Sequence, residues 1–217
     1  MSDIRVEPFE NHANRYDDWF EKHDDLYRWE LEAVRSLMVP LSKSVEIGVG
    51  TGRFAKPLGI EMGIEPSERM AAIARKRGIN TMKGRAERLP LEDKSVDLIL
   101  MVTTICFVSD PVASAKEAYR VLSDGGYMLV AFVDKESELG RKYDKNRSGS
   151  DFYRDATFYS TDEVISIMTE AGFTNCTAVQ TLFGSDLEHM IGGVLPGYGQ
   201  GAFVVVRCAK RVEEHAS

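Results

Sequence analysis

The chain has 217 residues, enough for one sizeable core and short for two full domains, and its 43% hydrophobic and 28% charged residues exclude a disordered protein. Its 27 Lys and Arg against 34 Asp and Glu leave a net charge of -7, which disfavours a nucleic-acid partner held through phosphates and favours a small-molecule substrate. No stretch approaches the roughly 18 apolar residues of a membrane span, so no membrane partner is expected. Cys106, Cys176 and Cys208 are far apart and form no C-x-x-C, which suits reduced thiols in a cytoplasmic protein. His12, His23, His189 and His215 fall at no metal-ligand spacing, and no metal site is expected.

In chain order, residues 9–38 carry Tyr16, Trp19, Phe20, Tyr27 and Trp29 at spacings that bring several to one helix face, which predicts one or two helices. Residues 45–47 favour a buried strand and run into Gly48, Gly50 and Gly52, so a strand ends there in a turn of bare backbone. In a doubly wound sheet a ligand lies beyond the carboxyl ends of the strands, and such a turn lets a nucleotide-like ligand reach the main chain. A dinucleotide fingerprint needs G-x-G-x-x-G. Position 53 is Arg and the third glycine is Gly52, which argues against NAD.

Pro57 and Gly59 allow only a short helix over 53–59. A strand over 60–65 then ends in Glu65, 17 positions after Gly48, close to the roughly 20 at which a dinucleotide fold places its ribose-binding acid. Ser67 caps a helix whose face is Met70, Ile73 and Ala74 and which Gly78 stops. A third strand covers 79–83, and the nearly continuous apolar run 96–102 reads as a central strand. Asp110 and Pro111 start a helix striped by Val112, Ala115, Tyr119 and Leu122, followed by a strand over 127–133. Residues 134–159 read as a long polar connection containing Arg141, Lys142, Lys145 and Arg147. A helix over 160–172 has a capping box, Ser160 with Glu163. Strands follow at 176–182 and 202–207, separated by a glycine-rich loop over 183–201, and the tail from Lys210 is expected to fray. The alternation of strands and helices gives an α/β, doubly wound, mostly parallel sheet.

The segment from Glu46 to Gly52 resembles the first motif of the class I S-adenosylmethionine-dependent methyltransferases, in the small-molecule, type 11-like branch. Residues 84–90, Gly-Arg-Ala-Glu-Arg-Leu-Pro, resemble the family's third motif, and 118–127 resemble the segment leading into its fifth strand. Residues 13–17, Ala-x-x-Tyr-Asp, are similar to an N-terminal lid. The resemblance covers about residues 40–208. It implies a Rossmann-like sheet of seven strands with the last one antiparallel beside the fifth, a lid over 1–38 and a cofactor-binding domain over 39–217.

It further implies S-adenosylmethionine as cofactor, held by Tyr16, Glu46, Gly48, Gly50, Gly52, Glu65, Pro66, Ala86, Glu87 and Thr103, with Glu46 helping to anchor the amino group. Trp19, Cys106, Phe107 and Arg141 are the candidate acceptor contacts. Arg85 stands where the family commonly has Asp, and because Arg cannot accept a hydrogen bond the adenine contact falls to the Ala86 amide. Cys106 stands where His is frequent. The implied reaction is in-line methyl transfer to a small molecule, with no catalytic base identified. A cofactor-binding protein without transferase activity and a nicotinamide-dependent oxidoreductase are the alternatives.

Overall fold

In the computed structural model, which describes residues 5–39 and 43–212, two helices come first, α1 (Glu7–Lys22) and α2 (Asp24–Leu37). The expected frayed tail beyond 212, with His215, lies outside the described residues. Strands and helices then alternate: β1 (Ser44–Ile47), α3 (Ala55–Leu58), β2 (Met62–Ile64), α4 (Glu68–Lys76), β3 (Asn80–Met82), β4 (Val96–Val102), α5 (Pro111–Val121) and β5 (Leu122–Val133). The remainder is α6 (Glu138–Asn146), α7 (Thr161–Glu170), β6 (Thr174–Thr181), β7 (Leu195–Pro196) and β8 (Phe203–Ala209).

The strand order is β3-β2-β1-β4-β5-β8-β6-β7. The first five strands are parallel, and β8 enters antiparallel between β5 and β6. The sheet has eight strands, one more than the seven expected. The extra one is β7, two residues of the glycine-rich loop that pair with Val179 and Gln180 at the edge. The sheet order reverses between β1 and β4, which opens a crevice at their carboxyl ends.

Period-2 alternation in the central strands builds two cores, one on each face. Leu98, Leu100, Leu129, Ala131 and Val205 meet Phe20, Leu26, Ala33 and Val34 of α1 and α2. Ile99, Met101, Val130, Val204 and Val206 meet Ala115, Ala118, Val164 and Met168 of α5 and α7. Thus α2 is a covering layer of the sheet, and α1 reaches Thr103 at the carboxyl end of β4.

Three sequence expectations need correction. The polar connection after β5 contains α6, capped by Ser137, whose hydroxyl accepts from the Gly140 amide. Cys176 and Cys208 form a disulfide between β6 and β8, where the ladder register shifts between Thr174 and Thr177. These cysteines are 32 residues apart in sequence and become neighbours only because β8 inserts beside β6. Cys106 remains a free, buried thiol. Lys210 does not begin a free tail: it is 5% exposed and donates to the Tyr119 and Leu122 carbonyls at the end of α5. Among the described residues no helix is long and apolar enough to cross a membrane.

Candidate functional site

The glycine turn after β1 is a cradle of left-handed backbone, with φ +68° at Gly48, +55° at Gly50 and +80° at Gly52. Side chains rarely adopt these angles, and a Cβ on Gly48 would lie 2.4 Å from Thr104 Oγ1. The Gly48 and Val49 amides donate to the Ile64 carbonyl, which ties the turn to the end of β2. There Glu65 reaches back into it. Its Oε2 accepts from the Gly50 amide at 2.8 Å and its Oε1 from the Ser67 amide at 2.9 Å. Glu65 is 7% exposed, and burial pushes its pKa up to about 7 against these two hydrogen bonds.

Over this crevice lies a narrow cavity of about 100 Å³. It gathers eight of the ten residues expected at the cofactor, Tyr16, Gly48, Gly50, Glu65, Pro66, Ala86, Glu87 and Thr103, together with Phe107 and Arg85. The other two lie behind the turn. Gly52 faces Ile79 and Ala74. Glu46 is 2% exposed, takes a hydrogen bond from the Ala55 amide at the start of α3, and has no partner for Oε2 among the described residues. Burial raises its pKa well above the carboxylate range.

A second chamber of about 500 Å³ adjoins the first. Phe9, Tyr16, Thr103 and Phe107 belong to the walls of both. Phe9 packs edge-on to Phe107 at 4.8 Å and to Tyr16 at 5.6 Å. Thr103 has φ +46°, a strained value for a β-branched residue, and it stands beside Tyr16 in the walls of both chambers. Trp19 lines the second chamber. Sequence reasoning missed Glu30, Tyr143, Phe152 and Tyr153, which also line it. For Glu30 a signal existed: an acid standing on the helix face of Leu26, Ala33 and Val34, all buried. Tyr143 and Asn146 lay in a helix read as a loop.

Cys106 and Arg141, two of the expected acceptor contacts, line neither chamber. The Cys106 thiol donates to the Thr103 carbonyl at 3.3 Å from behind the wall, and burial pushes its pKa up to about 12, so it is a packed neutral thiol. Arg141 is exposed on α6 and donates to the Glu136 carbonyl. The face of α6 that meets the chamber is instead Leu139, Tyr143 and Asn146.

Helix α1 is held over the site at two points. Asp17 accepts from Arg53 Nε at 2.9 Å and Nη2 at 2.8 Å and from Arg77 Nη2 at 2.6 Å. Burial works against its charge, but the Arg77 and Arg53 hydrogen bonds prevail and hold the carboxyl well below the usual range. Glu10 accepts from the Ser67 hydroxyl at 2.6 Å and the Arg69 amide at 3.2 Å at the start of α4. Arg53, the residue that breaks the dinucleotide fingerprint, therefore ties α1 to the glycine turn.

These residues fit a nucleoside with an amino-acid arm. The turn is bare where a Cβ would fill it, the Glu65 carboxylate presents acceptors for vicinal hydroxyls, and the buried Glu46 Oε2 awaits a donor. Comparison with known proteins agrees. Residues 45–130 match the family described as "Methyltransferase domain". A Thermotoga maritima crystal structure, described as a "SAM-dependent methyltransferase, possible histamine N-methyltransferase", is 54% identical with a TM-score of 0.91, covering 95% of this chain and 100% of that one. An uncharacterized protein of Methanocaldococcus jannaschii is 40% identical over 202 residues, 93% of this chain and 98% of its own length. The malonyl-[acyl-carrier protein] O-methyltransferase of a Marinomonas species is 28% identical over 144 residues, 58% of this chain and 52% of its own length. The nicotinamide and non-transferring alternatives give way, and the chain belongs to the class I S-adenosylmethionine-dependent methyltransferases, an enzyme family with S-adenosylmethionine as its cofactor.

Proposed function

We propose that this enzyme methylates a small-molecule acceptor seated in the aromatic chamber, and that the adenosyl moiety occupies the narrow cavity. The observation that carries this reading is the shared wall of Phe9, Tyr16, Thr103 and Phe107, a neck at which two ligands can meet. A concave, largely apolar chamber and a net charge of -7 suit a small molecule better than a nucleic acid. The description of the Thermotoga maritima relative points the same way. A cytoplasmic location belongs to this reading, although the disulfide removes the argument from reduced thiols.

The bound cofactor supplies an electrophilic methyl group on a sulfonium, a good leaving group. Glu65 would accept hydrogen bonds from the ribose hydroxyls, the Ala86 amide would meet the adenine, and Glu46, buried behind the turn, would help to anchor the amino group. Tyr16 and Thr103 fix the line of approach at the neck. The aromatic walls exclude water, and alignment of the reacting atoms supplies about 7–11 kcal/mol of the barrier. Tritiated methyl transfer from S-adenosylmethionine into a cell extract tests the reading: label in low-mass products is expected, and label confined to macromolecules would overturn it. Leu139→Trp, which fills the chamber, should stop transfer and leave S-adenosylhomocysteine binding intact.

A further inference from the structure

Glu30 sits on the buried face of α2 and is 7% exposed. No hydrogen bond or ion pair holds its carboxyl group among the described residues, although it lines the aromatic chamber. A carboxyl held on a buried helix face without a protein partner is costly, the more so when it is charged. Leucine at this position would simply continue the stripe of Leu26, Ala33 and Val34. An orphaned acid facing a cavity therefore calls for a ligand that supplies what the protein withholds.

The rings around it narrow the chemistry. Tyr16, Trp19, Phe20, Tyr143 and Tyr153 share the chamber with Glu30. Tyr143 and Tyr153 stack at 5.3 Å, and Tyr153 stacks on Phe107 at 6.1 Å. Aromatic faces attract organic cations, and a carboxylate among them adds the counter-charge. Of the chamber's own cations, Arg15 pairs with Asp151 at 2.8 Å and lies over Phe152, and Lys22 lines the chamber as an exposed residue. We propose that the chamber selects a small organic cation, an amine or ammonium group on an apolar body, with the Glu30 carboxylate as its counter-ion. This rests on the chamber being the acceptor pocket, and it names the class of acceptor.

The protonation state of Glu30 gives the inference a second handle. Burial pushes its pKa up to about 8, so most of the free protein carries a neutral carboxyl at pH 7. The titratable and charged groups around it are Tyr16, Arg15 and Lys22 from α1, Tyr143 from α6, and Asp151 and Tyr153 from the following segment. A bound cation favours the ionised form, so binding expels a proton below pH 8.

Calorimetry with S-adenosylhomocysteine at saturation tests this, using benzyltrimethylammonium, benzyl alcohol and benzoate as probes. For the wild type at pH 8.5 the cation should bind at least about tenfold more tightly than the alcohol, with benzoate weakest. Cation affinity should fall about tenfold per pH unit below pH 8. E30Q should bring the cation to the level of the alcohol, leave the alcohol unchanged and abolish the pH dependence. A wild type that binds the cation no better than the alcohol overturns the inference, as does an E30Q protein that binds it undiminished. Should E30Q fail to fold, the wild-type comparison decides alone. Binding of the alcohol without preference for the cation would remove the amine and leave the acceptor chamber standing. Normal methyl transfer by Leu139→Trp would remove the chamber itself.

Discussion

Thr103 is the residue on which the two chambers turn. Its φ of +46° is held by its amide, which donates to the Ala131 carbonyl. Gly48 is as constrained. Gly48→Ala combines an unfavourable φ of +68° with a Cβ 2.4 Å from Thr104 Oγ1, and should cost about 1–3 kcal/mol in a urea melt. An unchanged melt would mean that the turn is not the rigid cradle described. Glu65→Gln removes a charged acceptor and should weaken S-adenosylhomocysteine binding by about 1.5–3 kcal/mol, tenfold or more by calorimetry. Since Glu65 titrates at about 7 and hydroxyl donors favour its ionised form, wild-type affinity should rise as pH rises through 7 and then level off. A pH-independent wild type would place the ribose away from this carboxylate.

At the scale of elements, α1 is tied down by ion pairs from Asp17 to Arg53 and Arg77, and we propose that it acts as a lid. Asp17→Asn should weaken its contacts with Arg53 and Arg77 by about 1–3 kcal/mol, and speed hydrogen exchange in residues 9–22 while leaving the central strands protected. In the wild type the same amides should slow when cofactor binds, and no change would reduce α1 to ordinary packing. Helices α4, α5 and α7 were legible because Ser67, Asp110 and Ser160 announce their starts locally. Helix α6 was not, because it buries only Leu139 and Gly140 and so shows little apolar stripe. A Cβ at Gly140 would lie 2.0 Å from the Asp134 carbonyl oxygen, so the close approach there requires glycine. The cofactor cavity was legible for a related reason: its parts are strand ends and turns, each marked in a few adjacent residues. The second chamber is assembled from α1, α2, α6 and residues 150–153, which meet only through tertiary packing.

For the molecule as a whole, the Cys176–Cys208 disulfide closes a 32-residue separation, worth about 3–4 kcal/mol by loop entropy. It joins the start of β6 to the end of β8, at the edge of the sheet away from the glycine turn. Reduction should lower the melting temperature and leave S-adenosylhomocysteine affinity unchanged; loss of affinity would mean that the two ends of the sheet are coupled. The buried acids act on stability in a definite direction. Between the ordinary carboxyl pKa and about 7–8, folded Glu65 and Glu30 retain protons that the unfolded chain has lost. The stability they contribute is therefore complete in acid and is lost as pH rises across that window, and E30Q should flatten the decline seen in thermal melts. The central claim is that cofactor and acceptor meet at the neck formed by Phe9, Tyr16, Thr103 and Phe107. A crystal structure of the S-adenosylhomocysteine complex measures this directly. The account predicts the ribose on Glu65, the adenine by Ala86 and the sulfur at the neck facing the aromatic chamber; a sulfur turned away from that chamber, or an adenosyl group inside it, would contradict the account.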